Sequence, residues 1–213
     1  MYVVAILFLA WAWWGMKRTM KRSFFAIIAL VAALTFVVQL AEFPVAGGGS
    51  TWHFLGGTLI SMVLGPFATV VSMTITLIIQ MLIGDGGISS FGANIFNMAV
   101  IGALSFFFAK ALAGKKLSNR RLAVSVFVAS WVSNICTALA VGVETSIQPL
   151  AGNLGGIAVM VPTMLVWYVP TGFLEGIIAA MLIVPLSHVK SFNLHGLNML
   201  CGINGNSETE ENI

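Results

Sequence analysis

"FFAIIALVAALTFVVQLA", residues 24–41, carries no charge over eighteen positions. A helix of that length rises about 27 Å, close to the hydrocarbon thickness of a bilayer. The same silence extends around it: no Lys or Arg occurs in residues 23–109 or 122–189. Over the whole chain 59% of the 213 residues are hydrophobic and 8% are charged, against about 25% charged in soluble domains. The chain therefore reads as an all-α integral membrane protein. Its net charge of +3 then reports topology, not attraction to nucleic acid.

Apolar runs bounded by Gly, Pro and charge fall at 1–14, 24–41, 53–64, 67–83, 91–112, 122–143 and 154–186. The last run contains Pro162 and Pro170 and is read as one long helix. The basic residues cluster at 17–22, at 110–121 and at Lys190. With seven spans and an external N-terminus all three clusters face the cytoplasm, as the positive-inside rule requires. Splitting the last run would put Lys190 outside. The expected fold is thus a bundle of about seven transmembrane helices in the cell membrane, with one short, loop-led helix near the outer face. Residues 1–190 form a single transmembrane domain, and 191–213 are expected to be a polar, disordered cytoplasmic tail.

The run 53–64 is short. Twelve helical residues rise about 18 Å, so the glycine-rich approach "AGGGSTW" (46–52) must fill the remaining depth. Irregular backbone survives at that depth only where protein buries it or where it lines a cavity. His53 is then expected at the N-terminus of a half-buried helix, beside an outward-facing cavity, which is the geometry of small-substrate sites in transporters. An imidazole there can be a metal ligand, a proton carrier or a structural histidine.

A second loop, "GDGGISSFGANIFNM" (84–98), offers Asp85 in a turn. It also offers Asn94 and Asn97, three apart and so on one face of a helix, where they can pin a neighbouring loop or make ordinary helix–helix hydrogen bonds. Glu42 and Glu144 fall at external helix ends, where solvent or the interface is expected to hold them. Glu175 lies inside the last run and is expected to be pinned by a hydrogen bond or salt link. No Walker A, HExxH or GxSxG pattern occurs, so nothing points to ATP hydrolysis or proteolysis by this chain.

The segment "FPVAGGGSTWHFLGGTLISMVLGPFATVVSMTITLIIQMLIGDGGISSFGANIFNMAVIG" (43–102) resembles the substrate-binding S component of cobalt/nickel energy-coupling factor transporters. The motifs that carry the resemblance are the Pro–Gly loop into "HFLGG", then "LGP", "GDGG" and "GANIFNM". Weaker similarity runs through "PTGFLEGI" to about Pro185. The resemblance implies a seven-helix bundle that is not an enzyme and holds no cofactor. Its transported substrate would be Co2+ or Ni2+, serving cobalamin biosynthesis in the cobalt case. The implied partners are a transmembrane coupling subunit, two ATPase subunits and a small accessory membrane subunit.

The resemblance also implies His53 as a metal ligand within a nearly planar cage of nitrogens, with Asp85, Asn94 and Asn97 as supports of the loop. Planar nitrogen coordination suits Ni(II), and imidazole suits late first-row ions. The family's remaining nitrogens come from a Met-His N-terminus. This sequence begins "MYVVAILF", and two readings follow: the true start lies upstream, which is the expectation, or the chain lacks the three N-terminal ligands. As written, the chain offers His53 as its one ligand. The competing readings are an S component for an organic vitamin, nickel uptake for nickel enzymes, and a membrane scaffold that transports nothing.

Overall fold

The computed structural model of the chain describes residues 2–19, 24–44, 51–85, 87–114, 118–147, 156–189 and 194–201. The elements are α1 (Tyr2–Thr19), α2 (Phe24–Gln39), β1 (Phe43–Pro44), β2 (Thr51–Trp52), α3 (Gly57–Leu64), α4 (Pro66–Leu82), α5 (Gly87–Asn94), a π-helical stretch (Ile95–Val100), α6 (Ile101–Ala113), α7 (Asn119–Ile147), α8 (Ile157–Leu186) and α9 (His195–Cys201). Among the described residues the regular structure is helical apart from the two-residue antiparallel ladder β1–β2, which pairs Phe43 with Trp52 and Pro44 with Thr51.

Among the described residues three helical stretches are long and apolar enough to cross a membrane: Gly87–Ala113, Asn119–Ile147 and Ile157–Leu186. The first joins α5, the π turn and α6. The third is α8, which keeps Pro162, Pro170 and Pro185 inside one helix. The helices α2 and α4 are apolar but have 16 and 17 residues, and α3 has only 8. A count of seven crossings therefore does not follow from length alone.

The packing is inside out. On α2, Leu30, Leu34 and Val37 point outward at about 60% exposure, while Ile28 and Ala32 are buried. The buried face of α4 carries Thr69, Ser72, Thr74 and Thr76. Lipid tails are as apolar as Leu, so helices associate there through close packing and hydrogen bonds rather than through exclusion of water. Accordingly Ser72 Oγ donates to Ile28 O at 3.2 Å and Thr76 Oγ1 to Ala32 O at 3.0 Å, tying α4 to α2.

Glycine sets the closest crossings. A Cβ on Gly57 would lie 2.7 Å from Gly102 Cα, and one on Gly102 would lie 2.8 Å from Gly57 Cα. Backbone thus meets backbone where α3 crosses α6. The helices α7 and α8 run antiparallel: Gly142 faces Val161, Gly172 faces Asn134 and Gly176 faces Phe127. Between α3 and α4 the chain turns at Gly65, whose φ of +81° favours glycine. Pro66 follows at the first helical position, where its missing N–H costs nothing.

Within the stretch 191–213, expected to be a polar tail, the described residues 194–201 carry the helix α9. Leu194, Leu197 and Leu200 are buried against Met62, Phe106, Leu122 and Ile183. Gly196 fits against the carbonyls of Ser61 and Met62. Their three-residue spacing gives α9 an apolar face, and the polar residues around it hid that face in the sequence. Lys110 Nζ donates to Met199 O at 3.0 Å, and His195 stacks on Phe24 with ring centroids 5.5 Å apart. Burial holds the His195 imidazole below its ordinary pKa. These contacts gather the start of α2, the α3–α4 turn, the end of α6 and α9 at one end of the bundle.

The glycine crossing yields a test. Gly57→Leu forces a side chain into the Gly102 backbone, an overpacking that costs about 1–3 kcal/mol. Thermal unfolding in detergent should show a clear drop in midpoint. An unchanged midpoint would mean that the two helices do not meet there.

Candidate metal-recognition loop

His53 follows directly on β2 and sits four residues ahead of α3. It is not at the helix N-terminus, as the sequence suggested. The helix begins late because Gly56 adopts φ +69°, a left-handed turn that breaks helical geometry before Gly57. The imidazole is 9% exposed. Its Nδ1 lies 3.0 Å from Phe54 O. A carbonyl only accepts, so Nδ1 carries the proton in this bond. Among the described residues nothing bonds to Nε2, and its lone pair is then left for a proton or a metal, the usual way in which a backbone partner fixes the tautomer of a ligating histidine.

Residues 53–56 have no regular structure, so side chains from other helices must satisfy their buried backbone groups. Glu175, buried on α8, does most of this. Leu55 N–H donates to its Oε1, and Gly56 N–H donates to Oε2 at 3.2 Å. Asn134 on α7 adds Nδ2 to Oε2 at 3.2 Å. The expected pinning of Glu175 is therefore a set of hydrogen bonds, and its partners are the loop itself.

The opposite side of the loop is held from α2. Gln39 Nε2 donates to Leu55 O at 3.0 Å, and Gln39 Oε1 accepts from Gln80 Nε2 at 3.1 Å. Gln80 O in turn accepts from Asp85 N–H at 2.9 Å. That last bond is main chain to main chain and closes the turn after α4, where Asp85 is half-buried; among the described residues no hydrogen bond joins its carboxylate to the His53 loop.

The two asparagines part company. The three-residue spacing assumed an α-helix, but the helix widens into a π turn from Ile95. Asn94 is half-buried at the end of α5. Asn97 is 2% exposed and donates to Glu144 Oε2 at 2.6 Å, while its backbone O accepts from Thr137 Oγ1 at 2.9 Å. Among the described residues its hydrogen bonds run to α7, not to the loop. Glu144, near the end of α7, is accordingly partly buried and bonded. The π turn also brings Met98 O to 3.4 Å from a Cβ at Gly57, so this motif packs on the start of α3.

Close to this motif the backbone of Tyr2 lies 3.0 Å from a Cβ on Gly92, and Tyr2 OH donates to Ile88 O. The first turn of α1 is therefore seated on α5. A cleft of about 200 Å³ opens beside the loop, lined by Val38, Phe54, Gly56, Leu59, Glu175 and Ile178 among others. Among the described residues no three His, Cys, Asp or Glu side chains converge on a metal. A metal on His53 Nε2 needs further donors, from backbone or from residues outside the described set.

Sequence reading missed Gln39, Gln80 and Asn134. Each is a lone amide in an apolar run, and each is nearly unexposed. Such a residue is costly unless it is bonded, and that cost was the available signal.

Residues 1–191 match the family described as "Cobalt uptake substrate-specific transmembrane region". The chain is 36% identical over 138 residues to the fused nickel transport protein NikMN of Rhodobacter capsulatus, covering 63% of this chain and 40% of that protein. It is 33% identical over 171 residues to the cobalt transport protein CbiM of Geobacter sulfurreducens, covering 77% and 48%. With the cobalt transport protein CbiM of Sorangium cellulosum it shares 32% over 172 residues, covering 77% and 74%. The chain thus spans about half the length of several curated relatives. A solved transition metal transporter superposes with a TM-score of 0.79 at 28% identity, covering 92% of this chain and 89% of that one. A truncated transition metal transporter gives 0.77 at 28%, covering 87% and 90%.

The glutamine relay makes its own prediction. Gln39→Ala leaves Leu55 O and Gln80 Nε2 buried without partners, at about 1–3 kcal/mol for each orphan. Removing Gln80 as well deletes one orphan, so the double variant should be less unstable than the sum of the single ones. Additive losses in a double-mutant cycle would dissolve the relay.

Proposed function

Because the chain belongs to the family of the cobalt uptake substrate-specific transmembrane region, we propose that it is the metal-recognising membrane subunit of an uptake system for Co2+ or Ni2+. The single observation that carries this reading is the clamped loop that leaves the His53 Nε2 lone pair available. Neutral imidazole is a good ligand for both ions, which is why this site does not by itself choose between them.

In this reading His53 is a metal ligand. Asp85 supports the turn after α4, the helix that carries Gln80, and Asn94 and Asn97 support the helix on which α3 packs. The chain sits in the cell membrane with an external N-terminus and a cytoplasmic C-terminus, so that Lys17, Arg18 and Lys110 face the cytoplasm. The loop then opens outward, where the ion is captured. Transport is driven by ATP hydrolysed in two separate ATPase subunits and passed on by a transmembrane coupling subunit, with a small accessory membrane subunit alongside. The chain itself catalyses no reaction. Cobalt would feed cobalamin biosynthesis. Nickel would feed nickel enzymes.

The test is uptake of radiolabelled Co2+ and Ni2+ by cells that express the chain together with its transporter partners. His53→Ala should lower uptake to the level of cells lacking the chain, with unfolding temperature and membrane abundance unchanged. Full uptake by this variant would remove His53 from the site. Uptake of an organic vitamin in place of either metal would favour the other class of S component.

A further inference from the structure

Building on the transport reading, we propose that Glu175 is the positioning residue that sets the metal affinity of the His53 loop. Its carboxylate holds the loop closed, and the loop opens when those bonds are released.

Three donors converge on its two oxygens, and two of them are backbone amides of the loop, at Leu55 and Gly56. These amides stand two and three residues after His53, so the imidazole is placed by the carboxylate through a very short stretch of chain. The side chain is 6% exposed. A carboxylate is the side chain for this task because both of its oxygens only accept. An amide in its place would turn an N–H toward another N–H.

On one side the loop borders open space and not close-packed core: a cleft of about 200 Å³ touches Phe54, Gly56 and Glu175. Gly56, with its left-handed φ of +69°, stands at the junction with α3 as a hinge. Bonds from one carboxylate to two consecutive loop amides form a single latch that is made or broken together.

The experiment compares the full chain in detergent with Glu175→Gln, Asn134→Ala and Thr76→Ala. It reads backbone hydrogen exchange at 53–57, Co2+ and Ni2+ affinity by titration, and unfolding temperature. Glu175→Gln should speed exchange at 53–57 by about tenfold or more, leave α4 and α7 unchanged, and weaken metal binding by a similar factor. Asn134→Ala should do the same to a smaller degree. Thr76→Ala removes a buried bond to Ala32 O that does not touch the loop; it should lower unfolding temperature without moving the other two readings. Unchanged exchange at 53–57 in Glu175→Gln, or an equal effect in Thr76→Ala, overturns the latch. If Glu175→Gln does not fold, unchanged 53–57 exchange in Asn134→Ala overturns it. A wild-type chain that binds neither ion overturns the transport reading and the affinity half of this proposal, while the exchange rates still decide the latch.

Discussion

The bonds from Leu55 and Gly56 to the Glu175 carboxylate are the constraint on which the rest of this structure depends. Within a membrane an irregular stretch of backbone must find all of its partners inside the protein. Residues 53–56 find them in Glu175 below and Gln39 across. The long helices α7 and α8, the short α3 and the α2–α4 pair are thereby tied to one four-residue loop. The loop presents an imidazole whose tautomer is fixed by its own neighbour.

Close helix packing makes this arrangement possible. Glycines along α7 and α8 bring Asn134 within reach of Glu175, since Gly172 lies directly against the Asn134 side chain. The Gly57–Gly102 crossing does the same for α3 and α6. The π turn at Ile95–Val100 sends Asn97 to Glu144 on α7. Such turns interrupt helices at functional sites more often than elsewhere. Here it anchors the helix against which the loop-led α3 rests. Large apolar side chains are left to face outward along α2 and α8, where only lipid can accept them.

Much of this was legible in the sequence. Charge-free runs fixed the helical membrane class, and the unbroken reading of 154–186 anticipated α8 across its prolines. His53 stood out because an imidazole in a glycine-rich approach to a short helix is rare company in so apolar a chain. The positions of α3 and α9 were harder to read. Helix α3 starts four residues late because of one positive φ at Gly56, which the run of apolar residues cannot reveal. Helix α9 owes its face to three leucines set among polar residues. The partners of Glu175 were out of reach for a different reason. Its bonds join residues 120 and 119 positions apart, and such pairings come from helix packing rather than from any local pattern.

The central claim is that the loop held by Glu175 presents His53 to a transition metal ion. X-ray absorption at the cobalt or nickel edge tests it directly on the purified, metal-loaded transporter complex. The account predicts a shell dominated by nitrogen with outer-shell scattering from imidazole, and a loss of part of that scattering in the His53→Ala protein. Metal that remains bound to the variant with an unchanged spectrum would contradict it.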